Sequence, residues 1–115
     1  MKIDLSQKAY EKLFTDRDIS PQNVSLKITI ADIGWKGATY NLALVEPAEA
    51  DTSGENFYSI RQDGINFLLA DAVKFSSNEL KIETREIDGN LSLIVYNANF
   101  APDLDLKPEK YTVDL

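Results

Sequence analysis

The chain has 115 residues, 12 Lys plus Arg against 19 Asp plus Glu, and neither cysteine nor histidine. Without cysteine there is no disulfide framework, no zinc-thiolate site, no thiol nucleophile and no iron-sulfur cluster held by the chain's own thiolates. Without histidine there is no Ser-His-Asp triad, no imidazole metal site and no side chain that ordinarily titrates near neutral pH.

One domain is expected at this length, and 43% hydrophobic residues are enough for a core without covalent staples. The net charge of -7 disfavours attraction to phosphate backbones and anionic lipid, so no nucleic acid and no membrane is expected as a partner. Residues Met1 to Leu13 contain Asp4 and Glu11 and lack the apolar stretch of a secretory signal. No run approaches the ~18 apolar residues of a spanning helix, and a cytoplasmic location is the expectation. Asn23-Val24-Ser25 and Asn90-Leu91-Ser92 match the glycosylation sequon, which has no use in that compartment.

In chain order, residues 1 to 5 read as a short strand. Ser6 then caps a helix whose apolar positions Ala9, Tyr10, Leu13 and Phe14 share a face, with Asp4 and Gln7 as an alternative cap. Asp16, Asp18, Ser20 and Pro21 supply the turn that ends it. From Val24 the period falls to two: Val24, Leu26, Ile28 and Ile30 alternate with Ser25, Lys27 and Thr29, as in a strand with one wet face. Thr39 to Val45 reads as the next strand. Phe57 to Ile60 and Ile65 to Ala70 flank Asp63-Gly64, and Leu80 to Arg85 and Leu91 to Asn97 flank Asp88-Gly89-Asn90, so both pairs are predicted hairpins. Six or seven strands against one helix make the domain mainly β, α+β by content.

Between the second and third of these strands, Glu46 to Asn56 holds four acids and no base, as a solvated loop would. From Ala101, Pro102 and Pro108 interrupt scattered apolar residues, and this tail is read as an edge segment that docks or frays.

The order of these pieces resembles the HesB/IscA-like family, the A-type carriers of iron-sulfur cluster biogenesis, over roughly residues 1 to 100. The residues that carry the resemblance are Lys2-Ile3-Asp4-Leu5-Ser6, the helix with Ala9 and Leu13, and above all Gly34-Trp35-Lys36-Gly37 leading into Tyr40. They are followed in order by Asp63-Gly64-Ile65-Asn66-Phe67-Leu68-Leu69, Leu80 to Glu83, Gly89 and Val95-Tyr96-Asn97-Ala98-Asn99. The resemblance implies a Gly-Cys-x-Gly turn where this chain has Trp35, and a Cys-Gly-Cys pair after Asn99, where it has Phe100-Ala101-Pro102-Asp103. All three implied ligands are therefore missing. The resemblance implies two layers of short mixed strands with the one amino-terminal helix on one layer, a core domain at 1-100 and a tail at 101-115.

Gly34, Trp35, Lys36, Gly37 and Tyr40 form the candidate contact or pocket loop. On one reading Trp35 presents or fills a surface where cluster-binding relatives hold metal, since aromatic residues on loops are frequent interface anchors. On the other it packs on the sheet in an ordinary turn. A Gly-x-x-Gly loop with Lys36 also suggests an RNA clamp, but such a clamp needs basic surroundings and flanking helices. Asp16-x-Asp18, Asp103-x-Asp105 and the acids Glu46, Glu49, Asp51 and Glu55 offer oxygen ligands for a divalent cation without the spacing of a calcium loop. No nucleophile elbow, Ser-x-x-Lys or phosphate loop is present. The expectation is a non-enzymatic accessory or protein-binding relative of cluster assembly, with no cofactor, no metal site and no catalytic residue. Its partner would be a protein, of the iron-sulfur assembly pathway on the strength of the resemblance, and homo-oligomers are compatible with it. The alternative readings are a carboxylate-based iron or divalent-metal binder and, after that, a small carboxylate-dependent enzyme.

Overall fold

A computed structural model describes residues 1–34, 37–46, 57–76, 78–99 and 111–113. Among them eight strands form two sheets of four. Strand β1 (Lys2–Leu5) leads through Ser6 into helix α1 (Gln7–Tyr10), as the cap predicts: the Ser6 Oγ accepts from the Ala9 N–H at 3.1 Å. The helix then widens into a π-helical turn, Glu11–Thr15, closed by a 2.7 Å bond from Asp16 N–H to the Glu11 carbonyl. That widening lets the adjacent residues Leu13 and Phe14 both reach full burial beside Ala9. Asp18, with φ of 55°, reverses the chain, and Ile19 N–H returns to the Phe14 carbonyl at 2.9 Å.

After a 3-10 turn at Pro21–Asn23 come β2 (Ser25–Gly34) and β3 (Gly37–Val45), then β4 (Phe57–Gln62) and β5 (Ile65–Ala70). A short helix, α2 (Asp71–Ser76), precedes the hairpin of β6 (Glu79–Ile87) and β7 (Asn90–Asn97), and Thr112–Val113 forms β8. The sheet orders are β1-β6-β7-β8 and β3-β2-β5-β4. Each sheet is mixed, because β1 runs parallel to β6 and β2 runs parallel to β5 while their other pairs are antiparallel.

The alternation seen in sequence is the alternation of faces. Leu26, Ile28, Phe67 and Leu69 from one sheet meet Leu80, Ile82, Leu93 and Val95 from the other, with Leu13 and Phe14 completing the core. Both Asp-Gly turns have positive φ at both central residues, 53° and 77° at Asp63-Gly64 and 51° and 79° at Asp88-Gly89. This is the type I′ geometry that matches the twist of paired strands. The mainly β, two-layer expectation holds, with one addition. Helix α2 was not expected from its six residues, yet Asp71 in its first turn, Lys74 in its last and the buried Val73 give it a workable local logic. Strands β2 and β3 also run further toward each other than the expected Val24–Ile30 and Thr39–Val45.

Candidate functional site

Strands β2 and β3 extend until Gly34 and Gly37 are directly paired, so the two glycines of the candidate loop sit together at the end of one hairpin. Trp35 and Lys36, between them, lie outside the described residues. Tyr40 pairs with Ile30 on the core side and is only 3% exposed, which makes it the floor beneath the hairpin end rather than part of an outer surface.

The register is interrupted on the way. A bulge between Ile30 and Asp32 puts one extra residue into β2, after which Asp32 pairs with Thr39 and Ile33 with Ala38. The Thr39 hydroxyl donates to the Asp32 carbonyl at 3.5 Å just beyond the bulge. Bulges bend a strand and re-aim its side chains. Here the consequence is Ile33, an apolar residue 70% exposed immediately before Gly34. Sequence reading missed Ile33 as a surface residue, because Ile28, Ile30 and Ile33 carry no mark that separates the buried from the exposed. Phe75 of α2, 87% exposed, was missed with the helix that carries it.

The second region where the resemblance implies ligands begins after Asn99. Strand β7 ends at the buried Asn97, whose Oδ1 accepts from the Asn99 N–H at 2.8 Å, while Ala98 N–H donates to the Glu79 carbonyl at 3.0 Å. Residues 100–110 lie outside the described residues, so Asp103 and Asp105 do as well.

Electrostatics near these elements are modest. The Tyr96 hydroxyl donates to Glu83 Oε2 at 3.0 Å, and burial, followed by that bond, pushes its pKa up to about 12. Burial and then the Asp71 carboxylate raise the pKa of Tyr58. Lys27 lies 4.8 Å from the Phe57 ring and Lys74 5.6 Å from the Tyr58 ring. A cleft of about 360 Å³ opens beside the π-helical turn, between Tyr10, Phe14, Asp18 and Asn23, away from the candidate loop in sequence. Among the described residues no three acidic side chains gather as a metal site would require. Asp16 and Asp18 are exposed in the turn after α1, Glu46 is exposed after β3, and Glu49, Asp51 and Glu55 lie outside the described residues.

The donor set also decides the fit to an iron-sulfur cluster. Such clusters are held chiefly by thiolates, with imidazole as the usual substitute. A chain with no Cys and no His offers neither, so its residues do not fit that cargo.

No family model matches the sequence, and no curated protein matches it. Solved structures do. Escherichia coli SufA, described as involved in biosynthesis of iron-sulfur clusters, superposes with a TM-score of 0.57 at 16% identity, covering 89% of this chain and 84% of that one. IscA, solved with a 2Fe-2S cluster, gives a TM-score of 0.55 at 20% identity, covering 84% of this chain and 86% of that one. The mixed two-sheet architecture, with its single amino-terminal helix and its Gly34–Gly37 hairpin end, is a HesB/IscA-like fold that carries no cysteine.

Proposed function

We propose that this protein is a non-enzymatic accessory of iron-sulfur cluster biogenesis that acts in the cytoplasm by binding protein and does not ligate a cluster with its own side chains. The observation that carries this reading is the coincidence of two facts. The fold is that of SufA and IscA, and the chain has no thiolate or imidazole with which to hold what IscA holds. On this reading a fold kept without its ligands retains the surfaces around the ligand positions, and the Gly34–Gly37 hairpin end, where the two glycines pair, is the surface assigned to the contact. The buried Tyr40 underlies that end, Ile33 offers apolar area beside it, and by residue type Trp35 is an aromatic group of the kind that anchors protein contacts.

The test has two arms. Anaerobic reconstitution of the purified protein with iron and sulfide should leave no stable visible cluster absorption, and a cluster retained through gel filtration without an added thiol would overturn the ligand claim. Pull-down with wild type and Trp35→Ala, followed by identification of the captured proteins, should show assembly-pathway partners lost in the variant. An identical set of captured proteins with both would overturn the role given to the loop.

A further inference from the structure

The turn that ends the amino-terminal helix is irregular twice over. Asp16 N–H bonds to the Glu11 carbonyl at 2.7 Å and Ile19 N–H to the Phe14 carbonyl at 2.9 Å, each reaching back five residues where an α-helix reaches four. Between them Asp18 takes φ of 55°, a conformation that Asp and Asn tolerate better than most side chains. π-helical turns are rare and occur frequently at functional sites.

This turn frames the cleft of about 360 Å³, which falls in the size range of small-ligand sites, roughly 300–1,000 Å³. Its floor is apolar. Phe14 is fixed at 1% exposure, the Tyr10 ring lies against it with centroids 5.1 Å apart, and the half-buried Ile19 completes the surface. Its rim is polar and exposed, with Asp18, Ser20 and Asn23. Among the described residues none of these three side chains is committed to a hydrogen bond or an ion pair. Asp18 is the one charged residue of the lining, and neither Lys nor Arg contributes to it. The neighbouring Arg17 lies outside the lining and has a partner already.

We propose that this cleft binds a small organic cation, a primary alkylammonium whose chain lies on the apolar floor and whose ammonium group pairs with Asp18. The chemistry of the lining selects that class. An ammonium group carries three donors, and the oxygens of Asp18, Ser20 and Asn23 are acceptors that can share them. Aromatic rings such as those of Tyr10 and Phe14 attract a cation and also accept an alkyl chain. An anion would meet the Asp18 carboxylate with no cation in the lining to offset it. A divalent metal ion would find one carboxylate above an apolar floor, short of the six to eight oxygens that calcium takes. A neutral apolar molecule would cover Asp18 and strip its water without replacing it. The net charge of -7 adds a long-range attraction for a cation. No residue of the Gly34–Gly37 loop enters the lining, so this site and the role given to that loop stand or fall separately.

Two-dimensional NMR of isotope-labelled protein, titrated at constant ionic strength, tests the assignment. n-Butylammonium chloride should give saturable shifts concentrated in the amides of residues 10–23, and sodium butyrate, of similar size and opposite charge, should give none there. Asp18→Asn keeps a side chain that tolerates positive φ and should weaken binding by about tenfold or more, as loss of a charge-assisted hydrogen bond requires. Asp16→Asn removes the same charge from the same turn but outside the lining, and should leave the affinity nearly unchanged. The absence of saturable shifts, equal shifts with butyrate, an Asp18→Asn variant that binds like the wild type, or equal weakening by Asp16→Asn would overturn the proposal.

Discussion

The two long hairpins of this fold are built by different rules. Strands β6 and β7 pair without interruption from Leu80 opposite Asn97 to Ile87 opposite Asn90, and Asp88-Gly89 closes them in the geometry their twist requires. Strands β2 and β3 begin with the same regularity and lose it at the bulge after Ile30. One hairpin is specified by its own local chemistry and serves as a wall of the core. The other departs from strict alternation just before the Gly34–Gly37 hairpin end, and it places apolar Ile33 in solvent. Both hairpins contribute to the core, and they differ only at the end of β2–β3 beyond the bulge.

The largest expected effect contrasts the root of one hairpin with the end of the other. Ile82 is 0% exposed between the sheets, and Ile82→Ala should cost about 2–5 kcal/mol through lost burial and the cavity left behind. Ile33→Ala removes a similar side chain from solvent and should change stability by no more than about 0.5 kcal/mol. Urea unfolding of both variants measures the contrast, read from midpoints at unchanged slope. A comparable loss from Ile33→Ala would mean that the hairpin end is packed, and the distinction between the two hairpins would fail.

A smaller effect isolates the turn. Gly89 has φ of 79°, and a Cβ added there would meet nothing within 4 Å. Gly89→Ala should therefore cost about 1–2 kcal/mol from backbone strain alone, again by denaturant unfolding. Because no neighbour is disturbed, the register of β6 and β7 should survive, as unchanged amide exchange along Leu93 to Val95 would show. A shifted exchange pattern would mean that the turn sets the register and the hydrophobic alternation does not.

The same contrast explains what could be read in advance. Period-two runs such as Leu26-Lys27-Ile28 and Leu80-Lys81-Ile82 have one buried and one wet face, and Asp-Gly between such runs leaves few alternatives to a hairpin. Ser6 could be recognised as a cap because its hydroxyl satisfies an N–H that the helix leaves over. The bulge after Ile30 had no such mark, since Ala31, Asp32 and Ile33 neither demand nor forbid an extra residue. Helix α2 is too short for a helical period to declare itself, and what holds it is the tertiary burial of Val73. For the candidate site, the resemblance pointed to Gly34 and Gly37, which the structure pairs. That Tyr40 lies below them and Ile33 beside them depends on the bulge, and so could not be counted from the spacing.

The smallest effect concerns the outer face of the regular hairpin, where Tyr96 donates to Glu83 across the strands. Tyr96→Phe should cost about 1 kcal/mol near neutral pH, the usual net worth of one such bond. Its pH dependence has a definite sign. Burial, and secondarily the bond to Glu83, raises the folded-state pKa of this phenol from 10.0 to about 12. The folded state therefore holds the proton more tightly than the unfolded chain. The contribution is complete below pH 10 and is lost as pH rises from 10 through about 12. Absorbance titration should show a late-ionising tyrosine in the wild type that is missing from Tyr96→Phe. Glu83→Gln separates the causes, because it removes the carboxylate and leaves the burial. If burial is the larger cause, that variant's phenol still ionises above 10.0, partway back from about 12. A complete return to the ordinary value would show that Glu83 alone pins Tyr96, so that the β6–β7 hairpin depends on a cross-strand side-chain bond as well as on its backbone register.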